Sequence, residues 1–140
     1  MKESAKIELP AKLEHLYKFI DLATSFALQH GFTDKTLQNI DLCLEEALVN
    51  IFSYAYENAE GSAAVECSFE DGKLFIQVTD WGASFNPLMI NSPDVYTNLA
   101  ADRIGGYGIV LIKKLTDEVS YARVGGKNVL TMVFAYDSDL

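Results

Sequence analysis

A carboxylate on the core-facing side of a strand is the sharpest chemical signal in the sequence. Asp80 continues the alternating apolar positions of residues 74–78, so a period of two points its side chain toward the core. Burying an unpaired carboxylate is costly, so Asp80 should accept hydrogen bonds from a ligand or from the backbone amides of a turn. In the run that follows it, Gly82 permits a close backbone approach and Phe85 offers a wall for a flat ring.

A glycine run, Gly105-Gly106-Tyr107-Gly108, stands directly before a segment of helical periodicity. Glycines leave backbone amides accessible, and a helix N-terminus adds unpaired N–H groups and a favourable dipole, so phosphate is the natural ligand of such a turn. The run matches neither of the common glycine-rich nucleotide motifs, and glycines before helices are frequent, so alone it is a weak signal. Arg103, just upstream, is either a charge partner for an anion or an ordinary surface arginine.

The third candidate signal is a pair of polar residues, Glu46 and Asn50. They lie four positions apart in a helical pattern and therefore project from one face of the helix. Such a pair is usually a solvated face. Here Leu42, Val49 and Phe52 flank the pair and make the helix apolar nearly all round. This second side is therefore expected to face a pocket or a protein partner.

Hydrophobic periodicity predicts the elements that position these motifs. Residues 13–27 and 37–55 repeat at three and four positions, which predicts two helices, the first ending at Gly31 and the second capped by Thr33 or Asp34. Strands are expected at 6–9, 63–69, 73–79, 118–124 and 128–135, with Asp71-Gly72 as a hairpin turn and a helix after Gly108. This order favours an α+β sandwich in which helices cover one face of a mixed, mostly antiparallel sheet. The expected core stripe of the first helix is Leu13, Leu16, Tyr17, Ile20, Ala23 and Ala27.

The length, composition and net charge of the chain exclude several classes of protein. Its 140 residues, 49% hydrophobic and 22% charged, fit one domain over residues 1–140. A net charge of −9 argues against a nucleic acid or an anionic membrane as partner. No apolar run has the length of a membrane span, no targeting segment is visible, and Cys43 and Cys67 are isolated, so we expect a cytoplasmic protein with both thiols in its core.

Two features bear on motion and assembly. The segment from Phe85 to about residue 105 is rich in proline and asparagine and has no sustained period, which is typical of a functional lid or a mobile surface segment. Phe19, Leu22 and Phe26 form a second apolar face on the first helix, which indicates a homodimer unless the sheet or the N-terminal strand covers it.

As a set, the motifs resemble a known superfamily. Residues 46–50, 80–87 and 105–109 are similar to the N, G1 and G2 boxes of the GHKL ATP-binding domains. The size of the chain and the forms D-x-G-x-x-F-x-P and G-G-x-G-I resemble the anti-sigma-factor serine kinases of the RsbW and SpoIIAB type. The similarity covers almost the whole chain and implies a Bergerat-type α/β sandwich that binds ATP with Mg²⁺.

The resemblance also implies residue roles. Glu46 would be the general base that takes a proton from a serine hydroxyl, Asn50 would coordinate Mg²⁺, and Asp80 would accept the adenine amino group. Gly82 would allow close approach to the base, and residues 85–105 would form the ATP lid. The nucleotide-binding set that the resemblance implies would be Asn50, Asp80, Gly82, Phe85, Arg103, Gly105, Gly106 and Gly108. Tyr54 stands where the family often has histidine.

The function that the resemblance implies is an ATP-dependent protein serine kinase and anti-sigma factor. Its partners would be a STAS-like anti-sigma antagonist, phosphorylated on serine, and a sigma factor. The alternative is a nucleotide-dependent binding module without phosphotransfer. A two-component histidine kinase is disfavoured because no segment supplies a phosphoacceptor histidine on a dimerising helix hairpin.

Overall fold

The computed structural model describes residues 3–56, 60–84, 86, 88 and 108–137. Its elements follow the predicted order, with small differences in length. A short 3₁₀ turn at Leu13–His15 precedes the first helix. The elements are β1 (Glu3–Pro10), α1 (Leu16–Gln29), α2 (Asp34–Tyr54), β2 (Ser62–Glu70), β3 (Lys73–Asp80), α3 (Gly108–Leu115), β4 (Glu118–Val124) and β5 (Lys127–Ala135).

The five strands form one sheet in the order β1-β2-β3-β5-β4, and all four pairings are antiparallel. The predicted hairpin joins β2 to β3 through Asp71 and Gly72, which have φ angles of 52° and 74°. These left-handed values are those of a two-residue hairpin turn, which asparagine, aspartate and glycine tolerate best. Strand β3, which carries Asp80, therefore lies in the middle of the sheet with paired neighbours on both sides.

The helices cover one face of this sheet, as predicted. Helix α1 packs against α2, β1 and β2, while α2 packs against α3 and β3. Alternate residues of each strand point into the layer between helices and sheet, where Leu74, Ile76 and Met132 are fully buried. Within the described ranges, no helix is both long and apolar enough to cross a membrane.

Both cysteines lie in this core, as the sequence predicted. Cys43 and Cys67 are free thiols with no exposed surface. Burial raises the pKa of each thiol to about 12, with smaller contributions from Glu46 at Cys43 and from Glu66 at Cys67. Both side chains are therefore protonated at neutral pH and serve as small apolar residues.

The predicted core stripe of the first helix was right at Leu16, Ile20, Ala23 and Ala27, which are buried, and wrong at its outer edge. Leu13 and Tyr17 are 68% and 69% exposed, whereas Phe19 and Phe26 are buried at 0% and 6%. The face proposed for a homodimer thus packs inside the chain's own core, with Leu22 partly buried against it. The apolar surface that suggested a dimer is therefore already covered.

Candidate functional site

The floor of the site is a row of polar residues across three neighbouring strands. The register pairs Asp80 of β3 with Asn128 of β5, and Asn128 with Arg123 of β4. Asp80 and Asn128 are each only 6% exposed, on the same side of the sheet as the helices. The alternation of β3 thus correctly predicted that Asp80 points toward the core.

Asp80 uses one carboxylate oxygen to hold itself in place. Its Oδ1 accepts hydrogen bonds from the Gly82 amide and from Asn128 Nδ2, both at 2.9 Å. In the part of the chain that the structure describes, Oδ2 accepts none, and no fully buried side-chain nitrogen or oxygen atom there lacks a hydrogen-bond partner. Oδ2 is therefore accessible to a donor from outside. The sequence left a turn amide and a ligand as alternative partners of Asp80. The two can bind together, because the turn amide uses Oδ1 and a ligand can use Oδ2.

Gly82 lies against the end of α2. A Cβ atom on this glycine would stand 2.3 Å from the carbonyl oxygen of Ala55, the residue that terminates the helix. No side chain fits there without moving backbone, so helix and turn can be this close only with glycine at position 82. Its role toward a nucleotide base stays a prediction.

Tyr56 ties the same helix end to the sheet. Its hydroxyl donates to the Ser62 carbonyl at 2.6 Å and accepts from the Trp81 amide at 2.7 Å. Burial raises the pKa of Tyr56, and the charge of nearby Asp80 acts in the same direction. The hydroxyl therefore stays protonated and can fill both roles. Nothing in the sequence pattern distinguished this tyrosine.

Glu46 and Asn50 lie further back along α2, both half-buried. At a rise of 1.5 Å per residue, Asn50 is about 7.5 Å and Glu46 about 13.5 Å from Ala55 along the helix axis. Core residues Leu44 and Leu48 are fully buried on the opposite side. The helix thus sets the pair in line, at increasing distance from the turn that holds Asp80.

Helix α3 begins at Gly108, the last glycine of the run, and packs against α2. Its Lys113 donates from Nζ to the carbonyl of Leu88 at 3.2 Å. The other candidates, Phe85, Arg103, Gly105 and Gly106, lie outside the described residues, as does nearly all of the predicted lid at 85–105.

The described donor side chains do not form a metal-binding cage of their own. Among the described residues, no group of three or more His, Cys, Asp or Glu side chains could hold one. Mg²⁺ needs few protein ligands when phosphate oxygens and water complete its octahedron. The half-buried amide of Asn50 is therefore compatible with Mg²⁺ bound to a nucleotide and not with a metal held by protein alone.

Sequence reasoning missed Asn128, Arg123 and Tyr121. Asn128 continues the parity of the buried Leu130 and Met132, so the rule that singled out Asp80 applies to it equally. Arg123 and Tyr121 gave no such signal, because basic and aromatic residues are common on edge strands. Their contribution became visible only with the cross-strand register.

Comparisons with known proteins connect this arrangement to a family. The sequence model for the histidine kinase-like ATPase domain matches residues 9–134. The chain is 30% identical over 124 residues to serine-protein kinase RsbW of Listeria monocytogenes, covering 85% of this chain and 79% of that protein. It is 26% identical over 132 residues to RsbW of Bacillus mycoides, covering 91% and 82%. The antiparallel sheet with helices on one face confirms the predicted Bergerat-type α/β sandwich. This chain belongs to the family of histidine kinase-like ATPase domains.

Proposed function

We propose that the protein is an ATP-dependent protein serine kinase and anti-sigma factor. The observation that supports this best is the state of Asp80, which has one oxygen fixed by Gly82 and Asn128 and the other open to a donor. The relatives named serine-protein kinase RsbW, which align over most of the chain, support the reaction class.

Each residue has a distinct part in the proposed reaction. Asp80 Oδ2 accepts the amino group of adenine, and Asn50 supplies an oxygen to Mg²⁺, which neutralises phosphate charge when bound. Glu46 takes the proton of the attacking serine hydroxyl. Helix α3 begins at Gly108, and its N-terminal N–H groups are proposed to bind the phosphates. The proposal gives Gly105 and Gly106 the same role.

The partners proposed for this reaction are proteins. The phosphoacceptor is a serine on a STAS-like anti-sigma antagonist, and the regulated partner is a sigma factor released and bound by partner switching in the cytoplasm. A chain of net charge −9 fits protein partners better than a polynucleotide.

Phosphotransfer to a purified antagonist encoded near this protein's gene tests the proposal. Glu46→Gln keeps the size of the side chain but removes its ability to accept a proton, so transfer should fall roughly 10²- to 10⁴-fold while ATP affinity changes little. Glu45→Gln is the matched control, because Glu45 is the exposed neighbour on the same helix, and it should transfer at the wild-type rate.

The chemistry of the product separates the alternatives. Acid-stable phosphoserine supports the kinase, and acid-labile phosphohistidine would indicate two-component chemistry. Equal rates for wild type and Glu46→Gln would remove Glu46 from the mechanism. Absence of transfer to every candidate, with partner affinity that differs between ATP and ADP, would favour the binding module.

A further inference from the structure

The side-chain amide of Asn128 is fully engaged at the candidate site. Its Nδ2 donates to Asp80 Oδ1 at 2.9 Å and to the Ala83 carbonyl at 2.8 Å. Its Oδ1 accepts from the Tyr121 hydroxyl at 2.5 Å and from Arg123 Nη1 at 3.2 Å. An asparagine amide has two donors and two acceptor positions, so these partners match its capacity. Because a carbonyl only accepts and a guanidinium only donates, the partners determine which way the amide points.

The same network fixes the turn that follows β3. Arg123 Nη1 donates to the Gly82 carbonyl at 2.7 Å, while Asn128 holds the next carbonyl, that of Ala83. The Gly82 amide donates to Asp80. Carboxylate, turn and asparagine are therefore one connected unit, and Asp80 cannot rotate without breaking bonds on both sides of its Oδ1.

We propose that Asn128 is a positioning residue that sets the nucleobase preference of this site. By holding Oδ1 of Asp80, it makes Oδ2 the oxygen that faces the ligand, which selects a purine with an exocyclic amino donor over one with an oxo group. An oxo oxygen opposite a carboxylate oxygen sets two acceptors against each other and leaves both unmatched. This inference rests on the proposed function, in which Asp80 binds the base.

Calorimetric titration of the full chain with ATP and with inosine triphosphate, which carries an oxo group in place of the amino group, tests the inference. Asn128→Leu is close in size, adds no charge and removes both donors. We expect ATP affinity to fall roughly 10- to 100-fold, with little change for inosine triphosphate, so that the preference collapses. Thr131→Ala is the control, because Thr131 lies on the same strand but the opposite face of the sheet, and it should keep the wild-type preference.

A second variant covers the case in which Asn128→Leu does not fold. Arg123→Met removes a donor to Asn128 and to the Gly82 carbonyl at an exposed position, and it should lower the ATP preference a few-fold. An unchanged preference in Arg123→Met would then overturn the inference.

Each remaining outcome is also decisive. Equal weakening of both nucleotides in Asn128→Leu would show that Asn128 supports only the fold, and would overturn the inference. A wild-type protein that binds ATP and inosine triphosphate equally would overturn it while leaving the proposed ATP binding intact. A wild-type protein that binds neither nucleotide would overturn both.

Discussion

Among single side chains, Asn50 allows the most specific prediction, because its proposed role is to bind Mg²⁺. Its amide is half-buried on α2, one helical turn from Glu46, and its proposed ligand is a cation that arrives with the nucleotide. Asn50→Ala should weaken Mg·ATP about tenfold, the effect of losing one good ligand contact, while metal-free ATP binds as before. Calorimetry with and without a chelator measures both affinities.

The control for this change is Ser53→Ala, at an exposed position on the same helix, which should alter neither affinity. Equal losses with and without Mg²⁺ in Asn50→Ala would mean that the asparagine has a structural role and binds no metal.

Single residues were predictable from sequence where one local rule decides their orientation. Strand alternation determined the side on which Asp80 lies, because every second residue must point the same way. The donors to Asp80 follow different rules: Gly82 is local, whereas Asn128 is 48 positions away in the chain. Its placement depends on strand register, which no short pattern encodes.

At the scale of elements, the junction between α2 and the turn after β3 depends on the absence of a side chain. In Gly82→Ala the new Cβ would lie 2.3 Å from the Ala55 carbonyl oxygen, a backbone atom that cannot rotate away. We expect the free energy of unfolding to fall by about 1–3 kcal/mol, as for other overpacked sites. Denaturant titration measures the change.

Ser84→Ala, at an exposed position two residues on, is the matched control for Gly82→Ala and should stay within about 0.5 kcal/mol of wild type. A Gly82→Ala protein as stable as this control would show that helix and turn can separate at no cost.

The elements themselves were predicted well, except for one edge of the face that α1 buries, at Leu13 and Tyr17. Both Leu13 with Tyr17 and Phe19 with Phe26 satisfy helical spacing, so periodicity identifies a helix but not which of two overlapping arcs meets the sheet. The structure adds Phe19 and Phe26 to the buried part of the predicted stripe and leaves out Tyr17, whose hydroxyl group is costly to bury. Only the position of the sheet beneath the helix settles that choice.

At the scale of the whole molecule, the end of the described chain closes onto the start of α2. Asp137, just after β5, accepts hydrogen bonds from the amide and hydroxyl of Thr33 and from the Thr36 hydroxyl. Burial acts to raise the pKa of Asp137, but these hydrogen bonds outweigh it and hold the pKa below its ordinary value of 3.8. The contact joins residues 104 positions apart.

This contact predicts a pH-dependent loss of stability. Because its pKa is lower in the folded state, Asp137 stabilises the protein above pH 3.8, and that contribution is lost as the pH falls through the folded-state pKa. Asp137→Asn should be less stable than wild type by about 1 kcal/mol at neutral pH, a value discounted for partial exposure. The difference should vanish at lower pH.

Denaturant titrations across pH measure this difference, with Asp21→Asn on the exposed side of α1 as the control. A gap between wild type and Asp137→Asn that persists unchanged in acid would contradict the assignment. A gap of equal size for Asp21→Asn would show a general charge effect.

The central position of β3 has a consequence for how binding is coupled to folding. All eight residues of this strand pair with β2 on one side and with β5 on the other. Amides so placed exchange with solvent only when the whole domain opens, so Asp80 belongs to the last cooperative unit to unfold. A ligand on Asp80 therefore lowers the population of the globally unfolded state, by a factor that grows with its concentration relative to Kd. Saturating nucleotide should accordingly slow exchange of the paired amides of the inner strands β2, β3 and β5, including those far from the atoms it touches.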